Sequence, residues 1–212
     1  MSSADPRLRA LLKLAPVIPV YTPEDVNEAV DVAQALFRGG LPVIEVTLRT
    51  PQALDAIKAM VEAVPDAVIG AGTVLDAAQM HAAKQAGARF AVSPGATPAL
   101  YAAAGDADLP YLPGAATASD LILGLEHGQD TFKFFPAAQA GGAALLAAWH
   151  GPFADVRFCP TGGISAQTAP QFLHLPNVLC VGGSWLTTPA LLQTRDWEAI
   201  ERLAREASVL AS

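Results

Sequence analysis

The sequence predicts an α/β fold: a single (β/α)8 TIM barrel over residues 1–212, opened by an N-terminal helix. Three observations predict it. Short apolar runs alternate with longer stretches of helical period, and they do so eight times. The runs start roughly every 20 to 26 residues, the spacing of one strand–helix unit. No linker or low-complexity tract divides them. A doubly wound open sheet is the competing architecture, and eight units favour closure over it.

Met1–Ala15 reads as a short leading helix, with Asp5 as its cap and Pro6 in its first turn. Pro16–Tyr21 is the first apolar run. Thr22-Pro23-Glu24-Asp25 then reads as an N-cap, a proline at the first helical position and acids in the first turn. Val26, Val30, Ala33 and Phe37 make one helical stripe that ends at Gly39-Gly40. Val43–Thr47 is the second run, and Thr50-Pro51 starts the next helix. Val68–Ala71 is the third, followed by the capping-box spacing Asp76-x-x-Gln79. Phe90–Ser93 is the fourth run, with a helix from Pro98. Tyr111–Pro113 is the fifth, with Thr117 capping a helix that closes at Gly128. Thr131–Phe135 is the sixth, with a helix around Gly142–Trp149. Arg157–Pro160 is the seventh, with Ser165 as cap of a helix that runs to His174 across Pro170. Val178–Val181 is the eighth, and Trp197–Ala207 is the last helix.

Composition narrows the function classes. The chain is 52% hydrophobic and 16% charged, enough apolar material for one large core. A net charge of −7 argues against nucleic acid, which needs a basic face. The uncharged run Phe158–Thr194 is broken repeatedly by proline and glycine, so no membrane span is expected. The N-terminus lacks the uninterrupted apolar core of a signal peptide. Cys159 and Cys180 form no CxxC and imply no disulfide framework; they read as small core residues. His81, His127, His150 and His174 match no metal-ligand spacing, and neither metal nor cofactor is expected. A soluble cytoplasmic protein acting on a small molecule is the expectation.

The chemistry centres on Thr-Phe-Lys-Phe-Phe-Pro at Thr131–Pro136. Side chains alternate along a strand, so Lys133 points opposite to Phe132 and Phe134. With the phenylalanines under helices, Lys133 points into the barrel. Burial there favours the neutral amine, which is a nucleophile. The other three lysines lie in helical patterns. The competing reading is an edge-strand lysine whose head reaches solvent. Glu45 sits inside the second run on one face with Val43 and Thr47, and a barrel interior would hold it near Lys133. The pair reads either as an ordinary buried ion pair or as acid–base machinery. Arg49 follows the same strand and suits bidentate grip of a carboxylate, or is an ordinary surface arginine. Thr73 follows Gly70-Ala71-Gly72, which lacks the third glycine of a dinucleotide fingerprint; these glycines let backbone approach a ligand. Thr161-Gly162-Gly163 and Gly182-Gly183-Ser184 end the last two strands, where barrels bind phosphate. No acid lies between Asp155 and Asp196 to repel an anion there.

Taken together, Ile44–Thr50, Gly70–Val74, Ser93–Gly95, Phe132–Pro136, Arg157–Ile164 and Gly182–Trp185 resemble the 2-keto-3-deoxy-6-phosphogluconate (KDPG) aldolase / 4-hydroxy-2-oxoglutarate aldolase family. The resemblance implies a class I aldolase producing pyruvate and glyceraldehyde 3-phosphate, with many members also acting on 4-hydroxy-2-oxoglutarate. By that likeness Lys133 forms the Schiff base and Glu45 moves protons. Arg49 and Thr73 hold the pyruvyl carboxylate, while Pro94 and Phe135 line the site. Thr161 contacts the substrate, and Gly162, Gly163, Gly183 and Ser184 hold phosphate. A homotrimer is implied. One departure is Ala138, where the likeness leads to an acid and where no part in the chemistry is expected. The glycine turns alone fit two other classes, a phosphosugar isomerase or epimerase barrel and a non-catalytic phosphate-binding barrel.

Overall fold

The computed structural model describes residues 5–210. Helix α1 (Pro6–Leu12) is capped by the Asp5 carboxylate, which accepts from the Arg7 N–H at 2.9 Å. Nine strands follow: β1 (Val17–Tyr21), β2 (Val43–Thr47), β3 (Val68–Gly72), β4 (Ala91–Val92), β5 (Tyr111–Leu112), β6 (Gly114–Ala115), β7 (Thr131–Phe134), β8 (Arg157–Pro160) and β9 (Val181–Gly183). The helices between and after them are α2 (Val26–Arg38), α3 (Ala53–Ala63), α4 (Ala77–Gln85), α5 (Pro98–Asp106), α6 (Ala118–Glu126), α7 (Gly142–Trp149), α8 (Ala169–Leu173), α9 (Pro189–Gln193) and α10 (Trp197–Ser208).

Every strand pair is parallel. The sheet curls, and its regular ladders form two sections, a six-stranded one ordered β5-β4-β3-β2-β1-β9 and a three-stranded one ordered β6-β7-β8. A single regular eight-stranded ladder, as expected from the sequence, is not what forms. The fifth apolar run is split at Pro113, which has no N–H to give a ladder, and its second half extends beyond the expected end to Ala115. The Pro113 carbonyl instead accepts from the Lys133 N–H at 2.8 Å. At the other seam, the Phe158 N–H reaches the Asn177 carbonyl at 2.8 Å and the Leu179 N–H reaches the Phe158 carbonyl at 2.9 Å. Val178 therefore makes only an isolated bridge, and the eighth run becomes a ladder strand later than expected, at Val181.

Alternation divides the apolar residues into two cores. Residues facing the helices form the larger one, in which Phe134 meets Trp149 edge-on at 5.4 Å between centroids and Trp149 leans on Phe158 at 5.8 Å. Residues facing the inside of the curl form the smaller one: Ile18, Val43, Val68, Val92, Leu112, Cys159 and Cys180 among them. Leu8 and Leu12 of α1 are buried in this inner group, so the leading helix plugs one end of the curl. The Cys180 thiol is held protonated there, pushed up by its hydrogen bond with Cys159 and by burial.

Three helices start later than their sequence signals suggest, two for a tertiary reason and one because a local turn precedes it. α2 is capped by Asp25, which accepts from the Glu28 N–H at 2.8 Å, because the Thr22 hydroxyl is engaged with Thr47 instead. α3 begins at Ala53, because the Thr50 hydroxyl donates to the Pro23 carbonyl at 2.5 Å rather than capping. After β8, Ser165 and Thr168 bond one another in a turn, so α8 begins at Ala169 with Pro170 at the tolerated first positions. Asp76 and Thr117 do cap α4 and α6. No helix among the described residues is long and apolar enough to cross a membrane.

Candidate active site

Two adjacent levels inside the curl build the site. On β2, Val43 belongs to the inner apolar group; Glu45, two residues on, and Thr47, four on, face the same interior. On β7, Phe132 and Phe134 are buried in the outer core, which turns Lys133 inward. Lys133 Nζ donates to Glu45 Oε1 at 2.9 Å, and the two residues are only 4% and 3% exposed. A pair this deeply buried is costly to desolvate and adds little stability. A pair of this kind facing a cavity is a candidate for chemistry.

Gly72 makes the carboxylate's seat. A Cβ there would land on Glu45 Oε1, and a Cβ on Gly70 would land on the Phe90 ring. Both glycines thus have a reason the sequence did not show: they admit neighbouring side chains. Thr73, just beyond, holds a φ of 58°, a strained left-handed conformation for a β-branched residue. Its hydroxyl accepts from Arg49 Nε at 3.3 Å.

Above the ion pair lies a cavity of about 280 Å3 lined by Arg49, Phe135, Thr161, Gly162, Gly163 and Ser184 among others. Phe135 links the two levels, its ring centroid 5.2 Å from Lys133 Nζ. Thr161 is buried with an unpartnered hydroxyl. Gly162 and Gly163 have φ of 104° and 71°, so the turn demands glycine. Gly182 and Gly183 are glycine for another reason. They lie in strand β9, where a Cβ would strike the Thr161 side chain and the Trp185 ring respectively.

The sequence-derived residues are thus mostly brought together. Lys133 and Glu45 pair, Arg49 contacts Thr73, and Arg49 joins Phe135, Thr161, Gly162, Gly163 and Ser184 around one cavity. Gly183 does not line it; Gly182 does. Pro94 does not line it either and packs its carbonyl against Gly114, where a Cβ would not fit. Ala138, expected to take no part in the chemistry, abuts the glycine turn: its N–H donates to the Gly162 carbonyl at 3.0 Å. Thr22 was read in the sequence only as a helix cap and Thr47 only as a neighbour of Glu45, yet their hydroxyls meet at 2.7 Å, with Thr22 in the cavity wall. For a part in the site, their sequence signal was position: Thr47 ends β2 and Thr22 follows β1 directly. Among the described residues, no three His, Cys, Asp or Glu gather as a metal site would require.

Comparison with known proteins agrees along the whole chain. The model of the family "KDPG and KHG aldolase" matches residues 8–203. The "KHG/KDPG aldolase" of Escherichia coli (strain K12) is 48% identical over 198 residues, 93% of each chain. The "2-dehydro-3-deoxy-phosphogluconate aldolase" of Zymomonas mobilis is 50% identical over 199 residues, 94% of each. A crystal structure of KDPG aldolase from Legionella pneumophila, with pyruvate captured as a covalent carbinolamine intermediate, superposes with a TM-score of 0.93 at 45% identity, over 95% of this chain and 98% of that one. The chain belongs to the KDPG and KHG aldolase family.

Proposed function

We propose that this chain is a class I aldolase cleaving 2-keto-3-deoxy-6-phosphogluconate to pyruvate and glyceraldehyde 3-phosphate. The observation that carries the reading is the buried Lys133–Glu45 pair at 2.9 Å beneath a cavity with a cationic grip on one side and a glycine turn on the other. The Legionella relative's pyruvate carbinolamine supports covalent chemistry at an amine.

In the proposed reaction the Lys133 amine attacks the C2 ketone, forming a carbinolamine that loses water to an iminium. The iminium withdraws electrons, so the C3–C4 bond breaks toward it as Glu45 takes the C4 hydroxyl proton. The aldehyde departs, an enamine remains, and Glu45 returns a proton to C3. Water then hydrolyses the pyruvyl iminium and frees Lys133. Arg49, steadied by Thr73, fixes the C1 carboxylate and so aligns C2 with the amine. The unpartnered Thr161 hydroxyl is suited to a substrate hydroxyl at C4. The turn at Gly162–Gly163 and the exposed Ser184 hydroxyl are suited to the phosphate. Gly183 serves by bringing the β9 backbone close, and Pro94 by shaping the wall behind the site.

The E. coli relative's name supports a second substrate, 4-hydroxy-2-oxoglutarate, giving pyruvate and glyoxylate. Closure of the curled sheet into an eightfold barrel belongs to the same proposal, supported by the bonds that cross both seams. So do the homotrimer and the cytoplasmic location.

Incubating the protein with the phosphorylated keto-deoxy acid and following pyruvate tests the reading. Stoichiometric pyruvate and glyceraldehyde 3-phosphate are expected. Isomerised sugar acid without pyruvate would overturn it in favour of an isomerase, and binding without turnover in favour of a phosphate-binding barrel.

A further inference from the structure

Thr22 lies just beyond β1, between the β9 strand that leads to Ser184 and the β2 strand that leads to Arg49. It lines the cavity above the Lys133–Glu45 pair. It also lines a second cavity of about 480 Å3 that continues outward past Ser184 and includes Glu24 and Glu28. Thr22 therefore stands at the passage between the two.

Its hydroxyl has one partner among the described residues, Thr47 Oγ1 at 2.7 Å, and either oxygen is able to donate. Burial decides the direction. Thr47 is fully buried, and among the described residues Thr22 is the one partner of its hydroxyl. Were Thr22 the donor, the Thr47 hydrogen would be left buried and unpaired, which costs its full desolvation. Were Thr47 the donor, the Thr22 hydrogen would remain free toward the cavity, where a ligand or water satisfies it. The second arrangement is the cheaper. The segment is also pinned: the Thr50 hydroxyl donates to the Pro23 carbonyl at 2.5 Å and the Thr187 hydroxyl to the Val20 carbonyl at 3.4 Å. Thr22 is thus a donor set in place by its surroundings.

We infer that Thr22 is a specificity-determining residue whose hydroxyl donates to the C5 hydroxyl of the substrate, an inference that rests on the aldolase reading above. With the C1 carboxylate at Arg49, C2 on Lys133 and the phosphate at the glycine turn, the carbons between must pass the wall that joins them. Thr161 follows β8 and is suited to C4; Thr22 follows β1, on the other side of β9, and so flanks the path from Arg49 to the phosphate turns. The carboxylates of Glu24 and Glu28 in the outer cavity disfavour an anion beyond Thr22, so a neutral hydroxyl is the group that fits here.

The test compares kcat/KM for the phosphorylated keto-deoxy acid and for its 5-deoxy analogue in the wild type, Thr22→Val and Thr22→Ser. The wild type should prefer the hydroxylated substrate by about tenfold, the worth of one well-placed hydrogen bond. Thr22→Val should bring that ratio close to one, and Thr22→Ser should restore most of it. Borohydride trapping of pyruvate on Lys133 should be unchanged in all three, because pyruvate has no C5. A ratio in Thr22→Val equal to the wild-type ratio, or a wild-type ratio near one, overturns the inference while leaving trapping intact. Absence of trapping in the wild type overturns the aldolase reading and this inference with it.

Discussion

The Glu45 carboxylate has its position because residue 72 has no side chain. This is a dependence between two strands that pair at Glu45↔Gly70 and Thr47↔Gly72, so it is invisible until their register is known. Lys133 and Glu45 themselves were legible, since a charged residue flanked by alternating apolar ones on a strand has few destinations. Thr22, Thr47 and Gly72 were not, because their roles depend on which strands become neighbours. The seat can be tested against the group it holds. Glu45→Gln keeps an oxygen to accept from Lys133 but loses the base, and kcat should fall by about 10² to 10⁴-fold. Gly72→Ala keeps the base but displaces it, and a misplacement of about 1 Å can cost on the order of 10²-fold. Both proteins should retain native circular dichroism. A folded Gly72→Ala enzyme with wild-type kcat would show that the placement of the carboxylate does not limit turnover.

At the scale of elements, most strand positions were readable, and helix starts were readable where the cap residue had no competing partner, as at Asp76 and Thr117. Apolar runs of four to six residues between turn signals marked the strands directly. Thr22 and Thr50 carried the chemistry of caps, but each spent its hydroxyl elsewhere: Thr22 on Thr47 and Thr50 on Pro23. A cap competes with any tertiary partner of equal quality, and the sequence does not record the competition. The leading helix shows the same dependence in reverse. At seven residues it is too short to be stable alone. It holds because Leu8 and Leu12 complete the inner core, and because Arg9 donates to the Thr131 hydroxyl at 3.1 Å at the foot of the strand that carries Lys133. Leu12→Ala should therefore lower unfolding free energy by about 2–5 kcal/mol and lower Tm with it. An unchanged midpoint in a denaturant titration would mean that α1 merely rests on the end of the sheet.

At the scale of the whole molecule, an acidic chain holds a site suited to a dianionic or trianionic substrate. Net charge is −7, yet Arg49 and Lys133 lie at the cavity and its floor, and the turns of the last two strands sit in a stretch of sequence without an acid. Local groups outweigh the distant field because exposed charges are screened within about 8 to 10 Å. The curled parallel sheet was legible from the repeated units. Its seams were not, because a proline inside a strand and a last strand that starts three residues late alter hydrogen bonding without altering apolar pattern. All of this geometry converges on one covalent event at one amine. Incubation with pyruvate and borohydride, followed by peptide mapping, should place a reduced pyruvyl adduct on Lys133. Lys133→Ala should gain no adduct and should not turn over substrate, and EDTA should leave wild-type activity intact. Activity abolished by EDTA and restored by a divalent metal, with Lys133 left unmodified by pyruvate and borohydride, would contradict the Schiff-base account.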